Sequence, residues 1–177
     1  MTETNLRSAF GGESQAHIRY KIFADRAEKS GWPNVARLFN AVSAAEKIHA
    51  GNHFRNILTE GGAQTVSAAV FGSRNTLEDL QAGIDGETFE INEMYPVYRT
   101  VTQFQREKAA ETTFSWALES EKIYASLYKK AKQAVDEGKD VALGPIQTCG
   151  VCGFTIEGDT PDKCPICGAS GDKFKTF

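Results

Sequence analysis

Glutamates recur at matched positions along the first part of the chain and could together hold metal ions. Glu46 follows Glu13 by 33 residues, Glu121 follows Glu87 by 34, and both halves begin with Gly-Glu and end with Glu-Lys-Ile. This repeat indicates a duplicated helix pair. Carboxylates on converging helices repel one another unless protons or cations neutralise them. Two divalent or trivalent metal ions would do so, and carboxylate-rich sites in helical bundles suit iron or manganese.

Two further side chains add to this candidate site, and one residue departs from its pattern. Glu90 lies one helical turn after Glu87, and His49 lies one turn after Glu46. In the second repeat, Tyr124 stands where His49 stands in the first. A single glutamate would more often lie on a solvated helix face, but one per helix in a repeat-related pattern favours a metal site.

The C-terminal part of the chain contains a second candidate metal site. All of the cysteines lie there, in two Cys-x2-Cys pairs with eleven residues between them: Cys149, Cys152, Cys164 and Cys167. This spacing is a strong signature of a tetrahedral metal site. A disulfide framework is the alternative, and the expected cytoplasmic location disfavours it. The spacing leaves both a rubredoxin-type iron site and a structural zinc ribbon open.

The elements that position the carboxylates are predicted to be four helices. Their apolar stripes recur at helical spacing, and one glutamate interrupts each stripe. Pro96 lies inside the third helix and is expected to kink it or to mark a bulge. Residues 61–75 form a long connection between the helix pairs, which is typical of a ferritin-like four-helix bundle with a crossover. The predicted stripe of the third helix is Leu77, Leu80, Ile84, Glu87, Ile91, Met94, Tyr98 and Val101.

Composition divides the chain into two domains and excludes several classes of partner. We predict a bundle over residues 1–137, a linker over 138–146 and a small metal domain over 147–177. The net charge of −3 gives no reason to expect a nucleic acid or an anionic membrane as partner. No apolar run approaches the thickness of a bilayer, and the N-terminus has no signal-peptide core. We therefore expect a soluble, cytoplasmic protein.

The order of these motifs resembles the rubrerythrin family along essentially the whole chain. The motifs that carry the resemblance are FGGESQAHIRY, AAEKIHAGNHF, GIDGETFEINEMYPVY and CGVCG…CPICG. The resemblance implies a mainly α fold, in which a ferritin-like di-iron domain precedes a rubredoxin-like domain with one mononuclear iron. It also implies a non-haem peroxidase that reduces hydrogen peroxide to water and protects against oxidative stress. Electrons would reach it from an external NAD(P)H-linked reductase through the mononuclear iron.

The resemblance also assigns roles to individual residues. It implies that Glu46 and Glu121 bridge the two irons and that Glu13 and Glu87 bind one iron each. It also implies that one iron changes its ligand with its oxidation state: Glu90 binds it when oxidised and His49 when reduced. Tyr20 and Tyr95 would hydrogen-bond near the site, and the four cysteines would bind the mononuclear iron, with zinc as a possible substitute. The implied assembly is a homodimer, in which the cysteine site of one chain serves the di-iron site of its partner. His53, one turn beyond His49, is predicted from its spacing to support the site or to pack in the core rather than to bind metal.

Tyr124 departs from the family pattern, which calls for a histidine as terminal ligand to the iron that Glu87 binds. Three hypotheses follow. We rank first an open or water-filled coordination position beside a packed tyrosine. The second is binding as a phenolate, which would produce a visible charge-transfer band. The third is a weakened site, which would leave an electron carrier on an impaired bundle.

Two further classes of function compete with the peroxidase. A ferritin-like protein that oxidises and stores iron is the first, and the cysteine domain disfavours it because storage needs no built-in electron donor. A metal-stabilised binding module with zinc at the cysteines is the second, and it would lack the red colour of a thiolate iron.

Overall fold

The first part of the chain folds as a bundle of long helices. The computed structural model describes residues 1–58, 62–65, 69–71 and 74–177. Its helices are α1 (Thr2–Lys29), α2 (Pro33–Arg55), α3 (Thr76–Phe89), α4 (Tyr95–Gln105) and α5 (Lys108–Asp136). α1 packs mainly on α2, and α3 and α4 pack on α5. The mainly α bundle predicted from the apolar stripes is confirmed.

Local sequence accounts for where two of these helices begin. Pro33 occupies the first turn of α2, where its missing N–H costs no helical hydrogen bond. Asn75 caps α3, because its side chain accepts a hydrogen bond from the Glu78 N–H at 2.9 Å. The connection predicted over residues 61–75 lies partly outside the described residues.

The third predicted helix is interrupted by a π-helical turn over Glu90–Met94, which ends two residues before Pro96. This is the bulge that Pro96 predicted. After it, the buried side chains are not the ones that the apolar stripe predicted. Tyr95 and Thr102 are buried there, whereas the predicted residues Ile91, Met94, Tyr98 and Val101 are only half-buried. The reason is geometric: a π turn inserts one extra residue, which advances every later side chain by about 100° around the helix axis.

The C-terminal domain is a small antiparallel sheet held against α2 and α5. Its strands are β1 (Ile146–Cys149), β2 (Thr155–Glu157) and β3 (Phe174–Thr176), in the order β2-β1-β3. Arg37 of α2 ties the linker down, since its guanidinium donates to the carbonyls of Leu143 at 2.8 Å and Gly144 at 2.7 Å. Among the described residues, no helix combines the length and apolar character needed to cross a membrane.

Candidate metal centres

The predicted carboxylates meet inside the bundle, one from each of α1, α2, α3 and α5. Glu13, Glu46, Glu87 and Glu121 are at most 1% exposed. Their ligand atoms, with those of two neighbours, form two groups within 4.8 Å: Glu13, Glu46, His49 and Glu121 in one, and Glu87, Glu90 and Glu121 in the other. Glu121 belongs to both groups and therefore lies between two potential metal positions.

The donor atoms of this cluster fit metal ions. Among the described residues, buried oxygens of Glu13, Glu90 and Glu121 accept no hydrogen bond of good geometry. Such atoms normally find a partner when they are buried. Burial raises the pKa of Glu87 to about 7 and the pKa values of Glu46 and Glu121 well above their usual range, and neighbouring carboxylates add to the effect for the latter two. Cations between the carboxylates would stabilise their charged form and supply the missing partners.

Glu13 differs from the other carboxylates because histidines face it. Burial opposes its ionisation, but the nearby His53 and His49 imidazoles and the Tyr95 hydroxyl outweigh burial and lower its pKa. His49 itself is held neutral, since burial lowers its pKa to about 4. Its Nδ1 atom lies 3.0 Å from Glu46 Oε2 and 3.1 Å from Glu121 Oε1. A neutral imidazole at this position is suited to metal binding.

Both predicted tyrosines contact the cluster. The Tyr20 hydroxyl donates to Glu87 Oε1 at 2.5 Å, and the Tyr95 hydroxyl donates to Glu13 Oε1. His53 lies behind Tyr95, with its Nε2 atom 3.1 Å from the phenol oxygen and its Nδ1 atom 3.1 Å from Thr113 Oγ1. The structure therefore places His53 beside the carboxylate cluster but outside the two ligand groups, as its spacing predicted.

The cysteine sulfurs form the second centre. Cys149 Sγ lies 3.8 Å from Cys167 Sγ, and Cys152 Sγ lies 3.5 Å from Cys164 Sγ. A disulfide would require a separation of about 2.05 Å, whereas these distances suit four thiolates around one tetrahedral metal. A hydrogen bond from Cys152 lowers the pKa of Cys149 to about 5. The cluster thus favours a thiolate at neutral pH even before a metal ion binds.

Comparison with known proteins places both centres in one family. Residues 4–132 match the family described as Rubrerythrin, and residues 147–175 match its rubredoxin-like domain. The chain belongs to the rubrerythrin family. Its ferritin-like bundle accordingly has a di-iron site, and its cysteines form a rubredoxin-like iron site.

Relatives in this family align with the chain from end to end. Rubrerythrin-2 of Clostridium acetobutylicum is 49% identical over 100% of this chain and 97% of its own length. Nigerythrin of Nitratidesulfovibrio vulgaris is 32% identical, with 99% of this chain and 86% of the relative covered. A solved structure of fully reduced, all-ferrous nigerythrin matches with a TM-score of 0.87 at 31% identity and covers 100% of this chain and 87% of its own.

Nothing in the sequence indicates that Arg19 lies beside the carboxylate cluster. The apolar stripes contain no lysine or arginine, yet the charge of Arg19 acts to lower the pKa values of Glu87 and Glu90. Its guanidinium carbon lies 5.5 Å from the centre of the Tyr20 ring. Arg19 precedes the stripe residue Tyr20, and its long side chain brings the charge toward the cluster from a neighbouring face. The helical spacing alone could not reveal this.

The cysteine domain is seated directly on the di-iron half of the same chain. The Tyr124 hydroxyl donates to the Gly153 carbonyl at 2.6 Å, and the Asn52 side-chain amide donates to the Val151 carbonyl at 2.9 Å. The family resemblance implies that these two centres meet across a dimer, whereas the structure makes the contacts within one chain. Sequence reasoning also missed Gly153, whose absent side chain makes room for His49.

Replacing Gly153 by Ala is expected to destabilise the protein more than replacing Gly168 by Ala. Both glycines follow the second cysteine of a pair and have positive φ angles, +85° and +75°. Alanine therefore costs each about 1 kcal/mol in backbone strain. Only at Gly153 would the new Cβ overlap a neighbour, since it would lie 2.5 Å from His49 Cδ2, whereas Gly168 has no described atom within 4 Å.

The measurement is the free energy of unfolding in urea for both variants. We expect Gly153→Ala to lose about 1–3 kcal/mol more than Gly168→Ala, the usual cost of overpacking. Equal losses would contradict the seating of the cysteine loop on His49.

Proposed function

We propose that this protein reduces hydrogen peroxide to water at the bundle site, with electrons delivered through its own cysteine iron. The reaction consumes one peroxide, two protons and two electrons and releases two waters. The observation that carries the proposal is the contact between the two centres: Gly153 of the cysteine loop lies against the His49 imidazole. The cysteine iron can pass electrons one at a time, and a pair of irons can store the two that the reduction of peroxide needs.

The proposed ligand roles follow the family, and the closeness of the ligand atoms supports them. Glu46 and Glu121 would bridge the irons, which is supported for Glu121 by its place in both ligand groups. Glu13 and Glu87 would each bind one iron, and Glu90 and His49 would exchange on one of them. Glu90 is half-buried, and one of its buried oxygens has no hydrogen-bond partner among the described residues, so no such contact holds that oxygen in place. When bound, the irons supply electrons and Lewis acidity. The four cysteines would bind the third iron.

A chain of hydrogen-bonded side chains could carry the protons that peroxide reduction consumes. Thr113 Oγ1 lies 3.1 Å from His53 Nδ1, His53 Nε2 faces the Tyr95 hydroxyl, and Tyr95 donates to Glu13. Thr113 also lines a surface cavity of about 540 Å³. We propose that this chain passes protons from the cavity to Glu13, at the edge of the metal cluster.

Several finer features of the proposal come from the family rather than from the geometry. We propose that an external NAD(P)H-linked reductase supplies the electrons, and that the protein is a cytoplasmic homodimer that protects against oxidative stress. We also propose a bundle over residues 1–137, a linker over 138–146 and a metal domain over 147–177, so that the electron entry and the peroxide site lie in different domains.

Peroxide-dependent oxidation of the cysteine iron tests the function directly. The fully reduced protein is mixed with hydrogen peroxide in a stopped-flow instrument, and the visible absorption of the ferric thiolate site is followed. Fast appearance of this absorption, at a rate that rises with peroxide concentration, supports the peroxidase. Formation of a mineral core with no response of the cysteine iron would favour iron storage instead.

The metal content of the purified protein tests whether Tyr124 is compatible with the site. Protein prepared anaerobically from iron-supplied cells is expected to contain about three irons per chain, two in the bundle and one at the thiolates. About one iron would mean that Tyr124 has impaired the bundle site, and the protein would then be an electron carrier. A colourless protein with zinc would favour the binding module.

A further inference from the structure

Tyr124 makes a short hydrogen bond with the cysteine domain. The residue is fully buried, and its hydroxyl donates to the Gly153 carbonyl at 2.6 Å. Thr155 Oγ1 donates to the same carbonyl at 3.0 Å. The hydroxyl is thus used in a contact between the bundle and the turn that carries Cys149 and Cys152.

The ring of Tyr124 also packs on the face of His49. The two ring centres are 6.1 Å apart, and the planes are inclined by 22°. Gly153 approaches the edge of the same imidazole so closely that no side chain would fit between them. His49, Tyr124 and Gly153 therefore form a single packed unit at the boundary between the two centres.

The carbonyl that Tyr124 holds is rigidly connected to the thiolates. The Gly153 N–H donates to the Cys149 carbonyl at 3.0 Å, and the Cys149 N–H donates to the Phe154 carbonyl at 2.8 Å. Gly153 also follows Cys152 directly in the chain. Fixing the Gly153 carbonyl consequently fixes the turn that presents two of the four sulfurs to the bundle.

We propose that Tyr124 is a positioning residue, whose hydroxyl fastens the cysteine turn over His49 and so sets the distance for electron transfer between the two iron centres. The role in electron transfer rests on the proposed function. The step it serves moves one electron from the cysteine iron, which is oxidised, to the di-iron site, which is reduced. Tyr124 acts through the turn and is not a metal ligand.

The test compares Tyr124→Phe with Tyr128→Phe in the full-length, iron-loaded protein. Both tyrosines are fully buried on α5, but among the described residues the Tyr128 hydroxyl has no hydrogen-bond partner. Each substitution keeps the ring and removes one hydroxyl. Only Tyr124→Phe therefore breaks a contact with the cysteine turn.

The first measurement is hydrogen exchange of the backbone amides in residues 150–154. Loss of one buried hydrogen bond is expected to speed exchange there about tenfold in Tyr124→Phe. Tyr128→Phe should exchange like the wild type. Wild-type exchange in Tyr124→Phe would overturn the proposal.

The second measurement is the rate at which peroxide oxidises the reduced cysteine iron. Tyr124→Phe should be slower than the wild type and Tyr128→Phe should not, while thiolate absorption and iron content stay unchanged. An unchanged rate in Tyr124→Phe would overturn the role in electron transfer. If even the wild type fails to respond to peroxide, the proposed function fails, and the exchange experiment still decides whether Tyr124 fastens the turn.

A third measurement separates positioning from ligation. A phenolate bound to ferric iron would give the wild-type protein a visible charge-transfer band that Tyr124→Phe lacks. We expect the spectra of the two proteins to show no such difference. A band that disappears in the variant would overturn the proposal.

Discussion

Replacing Glu121 by Gln is expected to remove the irons of the bundle and leave the cysteine iron in place. Glu121 is fully buried and shared by both ligand groups, and neither of its oxygens accepts a hydrogen bond of good geometry among the described residues. Glutamine keeps the shape of the side chain but removes its charge. Loss of a residue that only supports a ligand costs about 10–100-fold. Loss of a shared ligand should therefore lower peroxide reduction by more than about a hundredfold.

Iron content and steady-state peroxide reduction measure this effect. Glu119→Gln is the matched control, because Glu119 lies on the same helix but pairs with Lys122 at 2.7 Å and has 43% of its side chain exposed. It should keep the wild-type iron content and activity. Glu121→Gln protein with full iron content and activity would contradict the proposed site, because the cluster would then lie away from the reaction.

Removing the metals should make the stability of the bundle depend strongly on pH through Glu87. Burial raises the pKa of Glu87 from 4.5 to about 7, so between these values the folded protein binds a proton that the unfolded chain has released. Its contribution to stability is complete at low pH and is lost as pH rises through about 7. The shift corresponds to about 3 kcal/mol.

The comparison with Glu87→Gln isolates this effect from other titrating groups. The other glutamates with raised pKa values act in the same direction as Glu87, namely Glu46, Glu90 and Glu121. His49 and Cys149 have lowered pKa values and act in the opposite direction. All of these groups are present in both proteins. Glutamine can still accept the Tyr20 hydrogen bond. Relative to the variant, the metal-free wild type should lose about 2.5 kcal/mol between pH 5 and pH 8.

Urea unfolding followed by helical circular dichroism measures the difference. Parallel curves for the two proteins across this pH range would show that Glu87 is not held in its protonated form. Iron loading should reverse the order at pH 8, because the charged Glu87 then contributes to metal binding.

The metal centres could be predicted because their residue types and spacing are unusual. One glutamate on each apolar stripe and two Cys-x2-Cys pairs have few explanations besides metals. The contacts around the centres could not be predicted in this way. Thr113 and Gly153 are common residue types, and only the packing of α5 and of the cysteine domain brings them to His53 and His49.

Helical periodicity failed where the backbone itself changed its geometry. Pro96 predicted an irregularity, but a proline does not specify whether the helix bends or gains a residue. Regular helical spacing therefore predicts Met94 and Tyr98 on the buried stripe, whereas Tyr95 is the buried residue. Helical spacing also could not predict the hydrogen bond of Tyr124. It placed the side chain inside the bundle, but the hydroxyl donates to a residue about thirty positions later, in the cysteine domain.

The π turn makes the active region sensitive to insertions and deletions at a place where no loop exists. Deleting one residue from 90–94 would restore a regular helix and rotate everything after it by about 100°. Glu87 would stay in the cluster, but Tyr95 would turn away from Glu13 and the proposed proton route would be broken. A change of one residue in length would therefore alter which side chains of α4 face the metal site. Relatives with and without this extra residue should differ in how protons reach that site.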